Sequence, residues 1–372
     1  MSKKVGNKMY INIEKVAKLV NDKKCDAIIL FNESNMHYIC SFSPSEGVII
    51  VTKGASAYHI VDSRYTEIAQ INAQKTGVKV IEIKTSFSDT AKEIIEKENI
   101  KKLPVFRKLF YENETISLLQ YKTYTQKFSG CEFVELNHEL MLLRNKKEPF
   151  EIELMKEANN IAEKSFLELL NEVKAGKTEK ELASLFDYIM AKNGSEKVSF
   201  DTILLTGTHT SMPHGTPSDR KVQAGDFVLF DFGATYMGYH SDMTRTIAID
   251  HATDEMEEAY ELVLKAQLEG IKALSAGQKC ADVYQKAYDV LDKKDMAKYF
   301  RHSLGHGVGL DIHEGYNASP RSKDTYEIGN VTSIEPGIYI PNKFGIRIED
   351  LLYISPRGRE NLSKITKKLI IL

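Results

Sequence analysis

The 372-residue sequence predicts an α/β (α+β) protein of two domains, and three observations lead there. The length exceeds one ordinary core, because domains commonly hold about 100–200 residues. The first part of the chain alternates helical and strand-like apolar patterns. A charged run, Arg144 to Glu148 (RNKKE), followed by Pro149, then interrupts that pattern and reads as a linker. The expected domains are 1–143 and 144–372.

Within the first domain the spacing predicts a helix over Ile13–Lys23 and a strand over Asp26–Leu30. Strands follow at Glu46–Thr52, Tyr58–Val61 and Val78–Ile83. Helices over Thr90–Glu98 and Glu114–Gln126 precede a closing strand at Glu132–Leu136. The second domain opens with an amphipathic helix over Glu148–Glu172. Thr178 and Glu181 form a T-x-x-E capping box before Leu182, Leu185, Phe186 and Ile189, whose spacing marks another helix that stops at Gly194. Helices over Glu255–Leu274 and Ala281–Lys293 complete the set, and the remainder is strand-like.

Composition narrows the partners. With 50 Lys+Arg against 52 Asp+Glu the net charge is −2, so no global field draws the chain to nucleic acid or an anionic membrane. The N-terminal MSKKVGNKMYINIEKVAKLV lacks the apolar core of a secretory signal. Apolar stretches such as Ala27–Phe31 are far below the roughly 20 residues that cross a bilayer. Cys25, Cys40, Cys131 and Cys280 lie far apart without a C-x-x-C pair, which suits a reducing cytoplasm and small buried hydrophobes.

Two hairpins concentrate acidic residues. Phe227–Ile249 reads as two strands around a turn near Tyr236–Gly238, and the midpoint of Asp231 and Asp242, 236.5, falls inside it. In that register the two carboxylates face each other with Cβ atoms about 5 Å apart. Thr332–Tyr339 and Gly345–Ile354 flank a second turn, and the midpoint of Glu335 and Glu349 is 342. Buried like charges repel and are costly unless a cation or a proton joins them. Between the hairpins the run Arg301-His302-Ser303-Leu304-Gly305-His306-Gly307-Val308-Gly309 brings an imidazole close without side-chain clashes, so His306 is the candidate nitrogen ligand. Four carboxylates and one imidazole suit two divalent ions of the Mn²⁺ type, with Co²⁺ or Zn²⁺ as alternatives, since oxygen-rich sites favour harder metals. Any one of these acids taken alone is more readily a surface or capping residue; the mirrored pairs argue otherwise. His59, His138, His209 and His251 read as surface or loop histidines.

These residues sit in motifs that resemble the pita-bread metallopeptidases of the Xaa-Pro aminopeptidase (aminopeptidase P) and prolidase branch. The resemblance lies in Pro213-His214-Gly215, Asp231-Phe232-Gly233-Ala234, Gly238 to Thr246, His302 to Gly307, His313-Glu314, Ile334-Glu335-Pro336-Gly337 and Arg347-Ile348-Glu349-Asp350. The first half is similar to the creatinase-type N-terminal domain, chiefly at Val61-Asp62-Ser63-Arg64-Tyr65. The resemblance implies a creatinase-type N-terminal domain followed by a pita-bread catalytic domain. It implies that Asp231 and Asp242 bind one ion, His306 and Glu335 the other, and that Asp242 and Glu349 bridge both, with a hydroxide between. Glu335 is then the general base, His214 and His313 stabilise the oxyanion or leaving nitrogen, and His302, Tyr339 and Arg347 form an outer layer or contact substrate. Arg347 could equally serve as a structural ion pair for Glu349, two residues along one strand face. The implied reaction removes an N-terminal residue from short peptides with proline second, and a homodimer is expected. Family members often carry proline three residues after the histidine matching His313, where this chain has Tyr316, which leaves the proline-side pocket open. Two rivals share the fold: a creatinase-like hydrolase, which needs no metal, and an inactive scaffold serving as a binding module. Retention of all five ligand types opposes both.

Overall fold

The computed structural model describes residues 2–42, 44, 46–98, 107–136 and 138–372. The chain forms two compact units, Met1–Arg144 and Asn145–Leu372.

The first unit runs α1 (Ser2–Asp22), β1 (Ala27–Leu30), α2 (Glu33–Cys40), β2 (Val48–Thr52), β3 (Ala57–Val61), α3 (Thr66–Thr76), β4 (Lys79–Glu82), α4 (Phe87–Lys97), β5 (Arg107–Tyr111), α5 (Leu118–Lys127), β6 (Cys131–Glu135) and α6 (Glu139–Asn145). Among the described residues the strands form one mixed sheet in the order β4-β3-β2-β1-β5-β6. Its central strands are buried along their whole length, as apolar runs such as Ala27-Ile28-Ile29-Leu30 require. Helices α2, α3 and α6 and strand β5 were not expected. Of these α2, α6 and β5 are short, and α2 is set by a local device: Asn32 Oδ1 accepts from the Asn35 N–H and opens the helix. His59, expected at the surface, is buried in β3, where desolvation lowers its pKa to about 4.

The expected linker is also corrected. Arg144 and Asn145 finish α6, and Arg144, Asn145 and Lys147 are all buried. Lys147 tolerates burial because its Nζ pairs with Glu314 Oε1 at 2.6 Å.

The second unit contains α7 (Pro149–Leu169), α8 (Glu179–Lys192), β7 (Ile203–Thr206), a 3₁₀ turn at Gly207–Ser211, β8 (Phe227–Phe232), β9 (Thr235–Tyr236), β10 (Tyr239–His240), β11 (Met243–Ala248), α9 (Asp254–Ala273) and α10 (Cys280–Asp292). Strands β12 (His306–Gly307), β13 (Glu314–Asn317), β14 (Val331–Ile334), β15 (Gly337–Ile340), β16 (Phe344–Arg347), β17 (Asp350–Ser355) and β18 (Gly358–Asn361) follow. The capping box before α8 forms in both directions between Thr178 and Glu181. Two apolar layers hold the unit together. Residues of α7 and α8 pack on β7, β8 and β11, and residues of α9 and α10 pack on β14 to β17.

Strand periodicity then separates core from site. Phe230 and Phe232 of β8 join the α7/α8 layer, so Asp231 between them points to the opposite face. Ile334, Ile346 and Ile348 join the α9/α10 layer, which sends Glu335, Arg347 and Glu349 the other way. The alternation that buries the isoleucines is what exposes the acids to one another.

The first hairpin departs from its expected register. Asp231 lies opposite Thr244 and Phe232 opposite Met243, while Tyr236 pairs with Tyr239. The cause is the turn: Met237 (φ 46°) and Gly238 (φ 78°) both take left-handed backbone, as a two-residue type I′ loop demands, and this centres the hairpin at 237.5. Asp242 therefore sits diagonal to Asp231 instead of opposite, on the same face because the offset is two residues. The second hairpin keeps its expected centre: Gly337 pairs with Arg347 on one side and Ile334 with Asp350 on the other. Glu335 and Glu349 oppose each other where that pairing is interrupted.

Candidate metal centre

Each acid is delivered by a break in a ladder. The β8–β11 pairing stops at Phe232–Met243 and resumes at Thr235–His240, and Asp242 occupies the gap. The second hairpin stops at Ile334–Asp350 and resumes at Gly337–Arg347, leaving Glu335 and Glu349 in its gap. Freed from each other, these backbones pair elsewhere: the Glu349 N–H donates to Thr244 O (3.1 Å) and the Glu335 N–H to Leu304 O (2.8 Å). Those two bonds tie the hairpins and the histidine loop to a common point.

His306 enters from β12. Its N–H donates to Ser333 Oγ at 3.1 Å and its Nδ1 lies 3.1 Å from Gly307 O, which turns Nε2 toward the acids. That nitrogen is 3.4 Å from both Asp242 Oδ2 and Glu335 Oε1. Gly305 permits the approach, since a Cβ there would strike the Ser333 carbonyl. Ligand atoms of Asp242, His306 and Glu349 all lie within 4.8 Å of one another, a spacing suited to one cation.

The electrostatics show the strain of gathering these groups. Burial, then the Asp231 and Glu335 charges, push Asp242 well above the usual carboxylate range. Glu349 rises likewise through burial, then Asp242, Glu335 and Asp231. Burial raises Glu335 to about 7 against the opposing pull of Arg347. Burial keeps His306 neutral by lowering its pKa.

Asp231 acts on that group electrostatically. Its charge acts on Asp242, Glu335, Glu349 and His306, and its Oδ2 accepts from Arg347 Nη2. Two buried oxygens, Asp231 Oδ1 and Glu349 Oε1, have no hydrogen-bond partner among the described residues. An unpaired buried acceptor costs about 1–3 kcal/mol, and more when charged. A divalent cation would satisfy both atoms and offset the like-charge repulsion, so the donor set fits such ions.

Behind the acids lies a layer that fixes them. Thr244 Oγ1 donates to Glu349 Oε2 at 2.7 Å and accepts from Arg347 Nε at 3.0 Å. Ser333 Oγ donates to Glu335 Oε1 at 3.1 Å. Arg347 is buried, and its remaining nitrogens reach Tyr339 OH (2.6 Å), Pro213 O (3.4 Å) and Asp231. It thus hydrogen-bonds to Asp231, not Glu349, and each of its nitrogens already has a protein partner. Tyr339 OH also meets His302 Nε2 at 3.0 Å, and burial together with Arg347 lowers the His302 pKa to about 3. His302, Tyr339 and Arg347 therefore form one relay ending on Asp231.

His214 and His313 stand at the edge, both exposed. The His313 ring lies 4.2 Å from that of His306, and burial foremost lowers the His313 pKa. Tyr316 points away from the site. Its hydroxyl donates to Val331 O at 2.8 Å and its ring packs edge-on against Tyr326. Thr244 and Ser333 were not singled out in the sequence. Each lies two residues from a ligand candidate, Asp242 and Glu335, so the period of two was the available signal.

A broken-ladder cluster of this kind, on the pita-bread arrangement of two helix-backed layers, places the chain among metal-dependent hydrolases. Comparison supplies the family. The model of Metallopeptidase family M24 matches residues 153–356, and that of the Creatinase/Prolidase N-terminal domain matches residues 12–146. The chain belongs to metallopeptidase family M24 and is a metal-dependent peptidase that acts with divalent metal ions. A protein named Xaa-Pro dipeptidase from Pyrococcus furiosus is 33% identical over 97% of this chain and 100% of its own. The solved structure of an Xaa-Pro dipeptidase from Bacillus anthracis matches at TM-score 0.90 and 34% identity, covering 98% of this chain and 100% of that one. That of an X-Pro aminopeptidase from Thermotoga maritima matches at TM-score 0.88 and 34% identity, covering 97% and 99%. No helix among the described residues is long and apolar enough to cross a membrane.

Proposed function

We propose that this chain cleaves the bond between an N-terminal residue and a following proline in short peptides, with two divalent ions held by Asp231, Asp242, His306, Glu335 and Glu349. The observation that carries the reading is the gathering of Asp242, His306 and Glu349 within 4.8 Å of one another, with two buried oxygens beside them, Asp231 Oδ1 and Glu349 Oε1, left without a hydrogen-bond partner among the described residues. The ions supply Lewis acidity, lowering the pKa of water and polarising the scissile carbonyl. Mn²⁺ is the favoured pair because oxygen donors dominate.

The chain's own groups account for the rest. Glu335, its Oε1 fixed by the Ser333 hydroxyl, is the group that takes the proton of the attacking water. It then passes that proton to the departing proline nitrogen. On this reading His214 and His313 are the groups that donate to the carbonyl oxygen, as the resemblance implies, and His313 sits beside His306 with the two rings 4.2 Å apart. Arg347, Tyr339 and His302 hold Asp231 in place. A dedicated pocket is needed because proline has no N–H for extended-chain recognition and a fixed φ. Tyr316 turns into the core, where its hydroxyl donates to Val331 O.

The four free cysteines support a reducing, cytoplasmic compartment, and the resemblance supports a homodimer, which light scattering checks. Purified protein loaded with Mn²⁺ is expected to release proline from Ala-Pro and the N-terminal residue from Ala-Pro-Ala at neutral pH. Turnover of Ala-Ala but of neither proline peptide overturns the specificity.

A further inference from the structure

A cavity of about 410 Å³ opens within the second unit, between the 3₁₀ turn at Gly207–Ser211 and the β15–β16 turn. Its size is that of a small-ligand pocket. Its walls are fixed. Thr210 Oγ1 accepts from the Gly345 N–H at 2.7 Å and donates to Gly207 O at 2.6 Å, and a Cβ on Gly345 would collide with the Thr210 carbonyl. The 3₁₀ turn and β16 are therefore locked in contact.

Arg301 is the one fixed charge among the described residues that line the cavity. Arg301 and His209 line it, and among the described lining residues there is no Asp or Glu. His209, expected to be an idle surface histidine, is held through Nδ1, 3.2 Å from Oε2 of the fully buried Glu179. Arg301 is exposed and makes no hydrogen bond or ion pair with any described residue. A guanidinium presents a planar fork that fits a carboxylate with two parallel bonds.

The cavity also borders the reaction site. Tyr339 forms one wall, and its hydroxyl contacts both His302 and the arginine that holds Asp231. Pro213, another wall, accepts from that arginine and precedes His214. Arg301 itself precedes His302. Arg347 is buried and each of its nitrogens already has a protein partner, whereas Arg301 is exposed, so Arg301 is the guanidinium open to a substrate carboxylate here.

We propose that Arg301 is a specificity residue that binds a substrate carboxylate in this cavity, either an acidic side chain of the N-terminal residue or the C-terminal carboxylate of a dipeptide. The substrate is that of the peptidase reading, on which this inference rests. The test compares wild type, Arg301→Gln and Arg301→Lys on two matched pairs: Glu-Pro-NH₂ against Gln-Pro-NH₂, and Ala-Pro against Ala-Pro-NH₂. In wild type one pair is expected to favour the carboxylate member in kcat/KM by about fivefold, the scale of a solvent-accessible charge contact. The ratio should collapse toward one in Arg301→Gln and return in part in Arg301→Lys. The first pair responding assigns the side chain, and the second assigns the terminus. Ratios identical in all three proteins overturn the inference. If wild type cleaves none of the four, the peptidase reading falls instead. Calorimetric affinities of metal-free protein for the same pairs then decide the role of Arg301: a carboxylate preference that Arg301→Gln removes sustains it, and its absence ends it.

Discussion

Replacing Lys147 with methionine removes one charge of a pair whose side chains are each 1% exposed. Methionine matches the lysine stem closely, so the change isolates the charge. Glu314 is left buried, its Oε2 still accepting from the Asp311 N–H at 3.2 Å and its carboxylate pressed against Gly309. Breaking such a pair costs about 3–5 kcal/mol. The loss has a ceiling, because Glu314 can take a proton instead. From an ordinary glutamate pKa of about 4.3, protonation at pH 7 costs about 3.7 kcal/mol, and at pH 5 only about 1 kcal/mol. In the variant the folded-state pKa of Glu314 is raised, so its proton is held at no cost below about pH 4.3 and the penalty grows as pH rises. Lys147→Met is therefore expected to lose about 3 to 4 kcal/mol relative to wild type at pH 7 and about 1 kcal/mol at pH 5. Urea unfolding followed by circular dichroism at both pH values measures this. An equal loss at the two values, or less than 1 kcal/mol at pH 7, refutes the claim that the pair is buried and charged. Because Glu314 adjoins His313, kcat should fall in the same variant.

Three other outcomes follow from the same geometry. Gly305→Ala drives a Cβ into the Ser333 carbonyl and displaces His306, so Mn²⁺ affinity by calorimetry should fall at least about tenfold, and unaltered affinity contradicts the close approach. Tyr339→Phe leaves Arg347 Nη1 short of its 2.6 Å partner, a loss of about 1–3 kcal/mol; stability by urea unfolding and kcat/KM should both drop while atomic absorption finds metal content retained. In metal-free protein burial raises Glu335 to about 7 and, with the neighbouring carboxylates, holds Asp242 and Glu349 well above the usual carboxylate range, so ions must displace protons. Mn²⁺ affinity should rise from pH 6 to 8 with measurable proton release, whereas the Glu335 contribution to metal-free stability, complete below its unfolded value near 4.5, fades as pH passes 7. A flat affinity profile contradicts the raised carboxylates.

Much of the site could be read in the sequence because strand periodicity and turn symmetry are local rules. Glu335 and Glu349 oppose each other as their midpoint requires, since the turn around Asn342 is symmetric. The Asp231–Asp242 register slipped by two residues because the type I′ turn at Met237-Gly238 depends on the backbone of a methionine, a residue with no turn signature. The offset kept both acids on one face, so the error did not reach the chemistry. Other features are non-local. The Arg144–Glu148 run looks like a solvated linker until Glu314, far along the chain, supplies a partner for Lys147. Arg347 looked equally suited to Glu349 or substrate, and only the folded chain brings Asp231, Thr244 and Tyr339 to its nitrogens. Arg301 and His209 carried no signal at all, because their cavity is assembled from segments distant in sequence.

Calorimetric titration of metal-stripped protein with Mn²⁺, with and without Asp242→Asn, reaches the shared acidic cluster most directly. Wild type should take up two ions per chain, and the variant, short of the carboxylate shared between them, should lose at least one. Wild type that takes up none, or a variant that binds as wild type does, contradicts the claim that these side chains converge to hold cations.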